Sequence, residues 1–186
     1  MESKKKEQKK AVVKPDPPKK ENIYEDLESL KESGFQFFDY KTFFFQHADK
    51  HEAIKELFTQ FDSEGYSVWK IKYDKAEGEC EVIYQTANLL KGFIQRFHDG
   101  FRKYALGVHG IFGDEPTLEL KGLWILRGKK FPRVWKEHPT TEYYEPEELD
   151  VKKEADRKII EEYLTAVEGG IVEGKKAQRL SFFKWE

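Results

Sequence analysis

Phe61-Asp62-Ser63-Glu64-Gly65-Tyr66-Ser67-Val68-Trp69 opens a stretch that decides the fold, and Gly122-Leu123-Trp124-Ile125-Leu126-Arg127-Gly128 closes it. Between them stands Asn88-Leu89-Leu90-Lys91-Gly92-Phe93-Ile94-Gln95-Arg96. The first and last segments alternate as strands do. Tyr66, Val68, Lys70 and Lys72 share one side, and Ser67, Trp69, Ile71 and Tyr73 the other. Leu118, Leu120, Trp124 and Leu126 share a face opposite Glu119, Lys121 and Arg127, so that second face is expected to be wet near its start. The middle segment changes period. Leu89, Leu90, Phe93, Ile94, Phe97 and Phe101 form one helical stripe. Gly92 within it costs up to about 1 kcal/mol relative to Ala, which points to close packing against sheet backbone.

Working outward, Asp74 to Gly78 reads as a turn, and Glu79 to Thr86 as a strand that pairs with 66–73 in a hairpin. Tyr104 to Phe112, with Leu106, Val108 and Phe112 in register, pairs across Asp114-Glu115-Pro116 with 118–128 in a second hairpin. Upstream, Asp49 caps a helix whose Ile54, Leu57, Phe58 and Phe61 fall on one face. The aromatic run Phe35 to Phe45 reads as a lid on the core in preference to a base-stacking platform, and Asp39 is placed to cap a short helix there. Ile23 to Leu30 is weakly helical. Downstream, Phe131 to Tyr144 reads as an irregular arm, Glu147 to Val167 as a helix, and Ser181 to Trp185 as a short fifth edge strand. The order predicts an α+β fold, an antiparallel sheet of two hairpins flanked by helices, over residues 23–186.

Residues 1–22 differ in kind. Eight Lys against four acidic residues give them +4, which leaves −6 on the remainder of a chain whose net charge is −2. Three Pro and no aromatic ring make this a linker that cannot offset its chain entropy by burial. The alternative is a basic arm that contacts RNA. The whole chain, with a pI near 6.3, has no nucleic-acid signature of its own. One cysteine, Cys80, excludes an internal disulfide and a cysteine-based zinc site, which fits the reducing cytoplasm. No apolar run reaches the roughly 18 residues of a membrane span.

Chemistry-bearing motifs fail on inspection. Gly122 to Lys130 and Gly170 to Lys176 lack the spacing of a phosphate loop. Lys91-Gly92-Phe93 begins an RNA-recognition signature that Ile94 and Gln95 break. His47 and His51 lack further metal ligands, and no nucleophile has a visible base. No catalytic residue, cofactor or metal is therefore expected. The candidate partner surface consists of Lys91, Arg96, Arg102, Lys103 and Arg127, with Trp135 as an interface anchor. For Trp69 and Trp124, core packing is the better reading.

The three quoted motifs, in that order and spacing, closely resemble the C-terminal domain of the gamma subunit of eukaryotic translation elongation factor 1B. The likeness extends from about Ser33 to Phe183 and includes Phe112-Gly113 and Leu149-Asp150. It implies an antiparallel sheet flanked by helices. It further implies a non-catalytic subunit of the guanine-nucleotide exchange complex that supports aminoacyl-tRNA delivery. The partners it implies are the other elongation factor 1 subunits and aminoacyl-tRNA synthetases. The family's full-length protein begins with a glutathione-transferase-like domain to which no segment here is similar, so a fragment or a short form is expected. The ending Arg179 to Trp185 departs from the family's usual one. The second reading is an RNA-binding module that uses the basic tail with Arg96, Arg102 and Lys103; enzymatic activity is the third.

Overall fold

The computed structural model describes Pro18 and residues 20–184. The readings made for the Lys-rich tail before Pro18, and for Trp185, lie outside the described residues. The elements are α1 (Glu25–Glu28), α2 (Phe37–Gln46), α3 (Lys50–Gln60), β1 (Tyr66–Tyr73), α4 (Ile83–Gln95), β2 (Ala105–Phe112), β3 (Glu119–Arg127), α5 (Arg133–Lys136), β4 (Tyr144–Leu149), α6 (Glu154–Leu164), β5 (Ile171–Val172) and β6 (Lys175–Phe183). All strand pairs are antiparallel, and the sheet runs β4-β1-β3-β2-β6-β5. The fold class is α+β, as the sequence predicts.

The β2–β3 hairpin forms as expected, with Leu106 opposite Ile125 and Gly107 opposite Trp124. Both strands are buried on both faces, so a one-residue slip would exchange the side chains of the two core layers. The other hairpin does not form. β1 lies between β3 and β4, with Trp69 opposite both Trp124 and Glu148. Glu79 to Val82 is instead a turn that feeds α4, and Ile83 to Thr86 is its first turn. Cys80 there adopts a positive φ of 57°, its carbonyl accepts from the Leu118 N–H at 2.9 Å, and helix begins at Ile83. The alternation of Cys80, Val82 and Tyr84 overlaps a longer helical spacing, Thr86, Leu90, Phe93, Ile94 and Phe97, which are the residues buried. Helical spacing over about three turns outweighs alternation over five residues. Leu89 faces partly outward, and Phe101 reaches the same core from a 3-10 turn at Asp99–Lys103.

Three further expectations change. Strand β4 falls where an irregular arm and the start of a helix were read. Only its ends, Tyr144 and Leu149, are buried, so its acidic middle carries no apolar period. Helix α6 accordingly begins at Glu154. The last strand is no short appendage. β6 has nine residues and pairs along β2. Gly92 meets no sheet backbone; a Cβ there would stand 3.9 Å from the Arg96 guanidinium and nothing nearer.

Both faces of the sheet are covered. On one, α2, α3 and α6 bring Phe35, Phe37, Tyr40, Phe44, Ile54, Leu57, Ile160 and Tyr163 onto Val68, Leu106, Val108, Leu123 and Ile125. The aromatic run is therefore a lid, as read. Its helix starts at Phe37 without a side-chain cap, so Asp39 is not the N-cap; it sits inside the first turn. Asp49 does cap α3, accepting from the N–H groups of His51 and Glu52. The other face receives Leu90, Phe93, Phe97, Phe101, Val134 and Trp135 over Ile71, Ile111, Leu120, Trp124 and Leu126. The face expected to be wet is thus roofed by helices, and its Lys121 is only 6% exposed.

Trp124 is wholly buried at the centre of the second layer. Trp124→Ala is expected to cost about 3–5 kcal/mol, the range for removing a large core side chain. Denaturant melts of the two proteins check this; an unchanged midpoint would place the ring outside the core.

Candidate functional site

The basic set divides by what each side chain touches. Lys91 projects from the outer side of α4, Arg96 follows its last turn, and Lys103 ends the 3-10 turn; all three are exposed. Arg96 folds back over Gly92. The Lys103 ammonium lies 5.4 Å from the centre of the Tyr104 ring. None of these three forms an ion pair among the described residues.

Arg102 and Arg127 are tied to backbone. Arg102 Nη1 donates to the Lys184 carbonyl at 2.7 Å, and its guanidinium lies 4.6 Å over Phe183. It fastens the end of β6 to the 3-10 turn. Arg127 donates to the carbonyls of Gly65 and Lys31 and lies 5.1 Å from the Tyr66 ring centre. It holds the segment before α2 and the turn before β1 against β3. Trp135 lies in the interior at 5% exposure, its ring centroid 5.1 Å from those of both Trp124 and Phe131. As an anchor it would have to leave that stack. Sequence alone offers no means to separate these arginines, because the carbonyls they bind are distant in the chain.

Two polar arrangements escape the sequence reading. The first is an ion network at the β1, β3 and β6 edge of the helix-covered face. Glu119 accepts from Lys72 at 3.1 Å and from Lys175 at 2.7 Å, with Lys121 at 3.3 Å. Glu173 accepts from Lys70 at 3.0 Å, Lys121 at 3.3 Å and the Tyr163 hydroxyl at 2.7 Å. Burial works against the charge on Glu119, but the three ammonium groups outweigh it and hold the carboxyl down at about 2. Glu173 and Gly174, at φ 47° and 77°, make the two-residue turn between β5 and β6 that aims this carboxylate inward. The signal was the run of lysines sharing one side of β1 and β3, which a wet face explained equally well.

The second is Lys41, 1% exposed beneath the lid. Its ammonium donates to the Arg102 carbonyl and sits 4.8 Å from the Phe37 ring centre. No carboxylate faces it among the described residues. Burial, helped by the nearby Arg102 charge, pulls its pKa down to about 8.

The histidines are engaged locally. His47 lies 3.2 Å from Glu52, and His51 lies 2.5 Å from Glu161. Among the described residues no group of three His, Cys, Asp or Glu side chains is placed to hold a metal ion. No helix there is long and apolar enough to cross a membrane.

The motifs that carry this architecture are those of a known family. The family described as elongation factor 1 gamma, conserved domain, matches residues 22–130, which is more than half of the chain. The chain belongs to the elongation factor 1-gamma family. The match takes in everything from α1 to the end of β3, while α5, β4, α6, β5 and β6 lie beyond it. Among relatives, elongation factor 1-gamma 2 of Oryza sativa subsp. japonica is 39% identical over 109 residues, 58% of this chain and 26% of that protein. Elongation factor 1-gamma of Schizosaccharomyces pombe is 30% identical over 136 residues, 73% of this chain and 33% of its own. That of Drosophila melanogaster is 28% identical over 160 residues, 85% of this chain and 36% of its own. The chain thus spans between about a quarter and a third of these elongation factor 1-gamma proteins.

Lys41 gives a pH signature within this elongation factor 1-gamma fold. Its folded pKa lies below the unfolded value of 10.5, so between the two the unfolded chain holds the extra proton and stability rises with pH. The burden of the buried charge is complete below pH 8 and is relieved above it. Relative to Lys41→Met, wild type is expected to gain about 2 kcal/mol between pH 7 and pH 10. Paired urea melts across that range measure it; a constant difference would mean that Lys41 titrates normally.

Proposed function

We propose that this chain is a non-catalytic interaction domain of the elongation factor 1 assembly, contacting other subunits of that complex and so supporting delivery of aminoacyl-tRNA to the ribosome. Aminoacyl-tRNA synthetases are further partners in this reading, and the cytoplasm is its compartment. The observation that carries it is where the family's motif residues go. Tyr66, Val68, Phe93, Leu123, Trp124 and Leu126 are all buried and build the two layers. The motif therefore specifies a framework, and recognition is left to the surface that the framework holds out. The polar groups of the interior are likewise committed to one another, as in the Glu119–Lys175 and Glu173–Tyr163 pairs.

A second reading rests on Lys91, Arg96 and Lys103, which stand exposed near the end of α4 and are free to meet phosphate. With the Lys-rich residues of 1–22 they would form an RNA contact whose affinity falls with salt in proportion to the phosphates neutralised.

Affinity capture separates the two. The full chain is immobilised and exposed to a eukaryotic extract with and without nuclease. Elongation factor 1 subunits are expected to remain bound after nuclease. Their absence in both arms would overturn the first reading, and binding that vanishes with nuclease and with added salt would establish the second.

A further inference from the structure

The two long borders of the sheet are finished differently. The β4 border is guarded. Pro146 removes a donor from it, and Glu145, Glu147 and Glu148 stand exposed along it, devices that discourage another strand from pairing there. The β6 border is bare. β5 covers only Lys175 and Lys176. Ala177 then bonds with Gly169 and Gly170 at 2.7 and 2.8 Å. From Gln178 to Phe183 no strand of the described residues lies outside β6.

One group on that border is already occupied, and its occupant is informative. The Leu180 N–H points away from β2 and donates to the Glu168 carboxylate at 3.2 Å. Backbone direction alternates along an antiparallel strand, so Phe182 presents its N–H and C=O to the same side as Leu180. A carboxylate therefore sits where the carbonyl of a neighbouring strand would sit. The charge around it is positive. Lys176 and Arg179 are exposed, and neither has a carboxylate partner among the described residues. Val167 and Ile171, which border the same edge, are 64% and 65% exposed.

We propose that the open edge of β6 from Gln178 to Phe183 docks an acidic, extended segment of a partner protein, which adds as a further strand and displaces the Glu168 carboxylate. Backbone pairing to Leu180 and Phe182 gives the attachment, as in other strand additions. Carboxylates of the incoming segment meet Lys176 and Arg179, and its apolar side chains meet Val167 and Ile171. Charge selects this occupant over a second copy of the chain, since two β6 edges would bring like charges together. The proposal deepens the interaction-domain reading and rests on it for its purpose. Its test uses a defined peptide, so its failure leaves the subunit-capture result standing.

The probe is a short capped peptide of alternating valine and glutamate, titrated into the full chain by calorimetry and followed by amide exchange in NMR. Binding is expected, with slower exchange at Leu180 and Phe182. The double variant Lys176→Glu, Arg179→Glu is expected to weaken it by about tenfold or more, and Glu168→Gln, which removes a competing charge, to strengthen it. Both changes are on exposed side chains, so the fold is kept, and an unchanged melting midpoint verifies that. Equal binding by a valine–lysine peptide, or by one N-methylated along the pairing edge, would overturn the proposal. So would unchanged exchange at Leu180 and Phe182 in the presence of the peptide, or concentration-dependent self-association that the peptide does not reverse.

Discussion

The architecture depends on one indole lying flat across one glycine. Trp124 on β3 stands opposite Gly107 on β2, and a Cβ on Gly107 would come within 2.7 Å of the ring. Two residues along, the arrangement is mirrored. His109 on β2 stands opposite Gly122 on β3, where a Cβ would run into the imidazole and the Val108 carbonyl. The Trp124 Nε1–H donates to His109 Nδ1 at 3.3 Å, so that nitrogen must be the acceptor and the proton must sit on Nε2. Nε2 lies 3.2 Å from the hydroxyl of Tyr144, the first residue of β4. Two glycines thus make room for two rings, and the rings tie three strands together. The other elements of that face close on the indole: Phe97 of the α4 side and Phe183 of β6 at 5.3 Å, and Trp135 of α5 at 5.1 Å.

This arrangement has a functional consequence through rigidity. A core centred on interlocked rings in a glycine-lined slot permits few alternative packings. On the opposite face the Glu119 and Glu173 network joins β1, β3, β6 and α6 with charges that would be costly to separate. With both layers fixed, the sheet's borders and the outer side of α4 keep constant positions. That suits the proposed role of presenting surfaces to partners. It also explains why the family motif is read so readily in the sequence and yet names no reactive group.

Legibility in the sequence followed the apolar period. The β2–β3 hairpin, the α3 cap at Asp49, the aromatic lid and the burial of Trp124 all carried it and were read. β4 carried none, because Glu145, Pro146 and Glu147 are the residues of a guarded edge, and an edge strand is selected for what it repels. The start of α4 was misread because alternation at Cys80, Val82 and Tyr84 is short enough to fit either period. For the site, the sequence yielded cations but not their neighbours. Arg127 binds carbonyls of Lys31 and Gly65, and Arg102 that of Lys184, contacts that exist only after folding. Trp135 was read as an anchor because Trp is common at interfaces, whereas the indole of Trp124 needed an edge to pack against.

The hydrogen-bonded histidine offers the most direct test. Complete burial pulls the His109 pKa down from 6.5 to about 3, so the ring stays neutral well below the usual imidazole range. Long-range nitrogen–proton NMR of the folded chain, followed from neutral pH toward pH 4, reports both tautomer and charge for each histidine. The account predicts a neutral His109 with its proton on Nε2 throughout. A His109 that protonates near pH 6.5 in the folded state, or that carries its proton on Nδ1, would contradict the Trp124–His109 bond and the framework built on it.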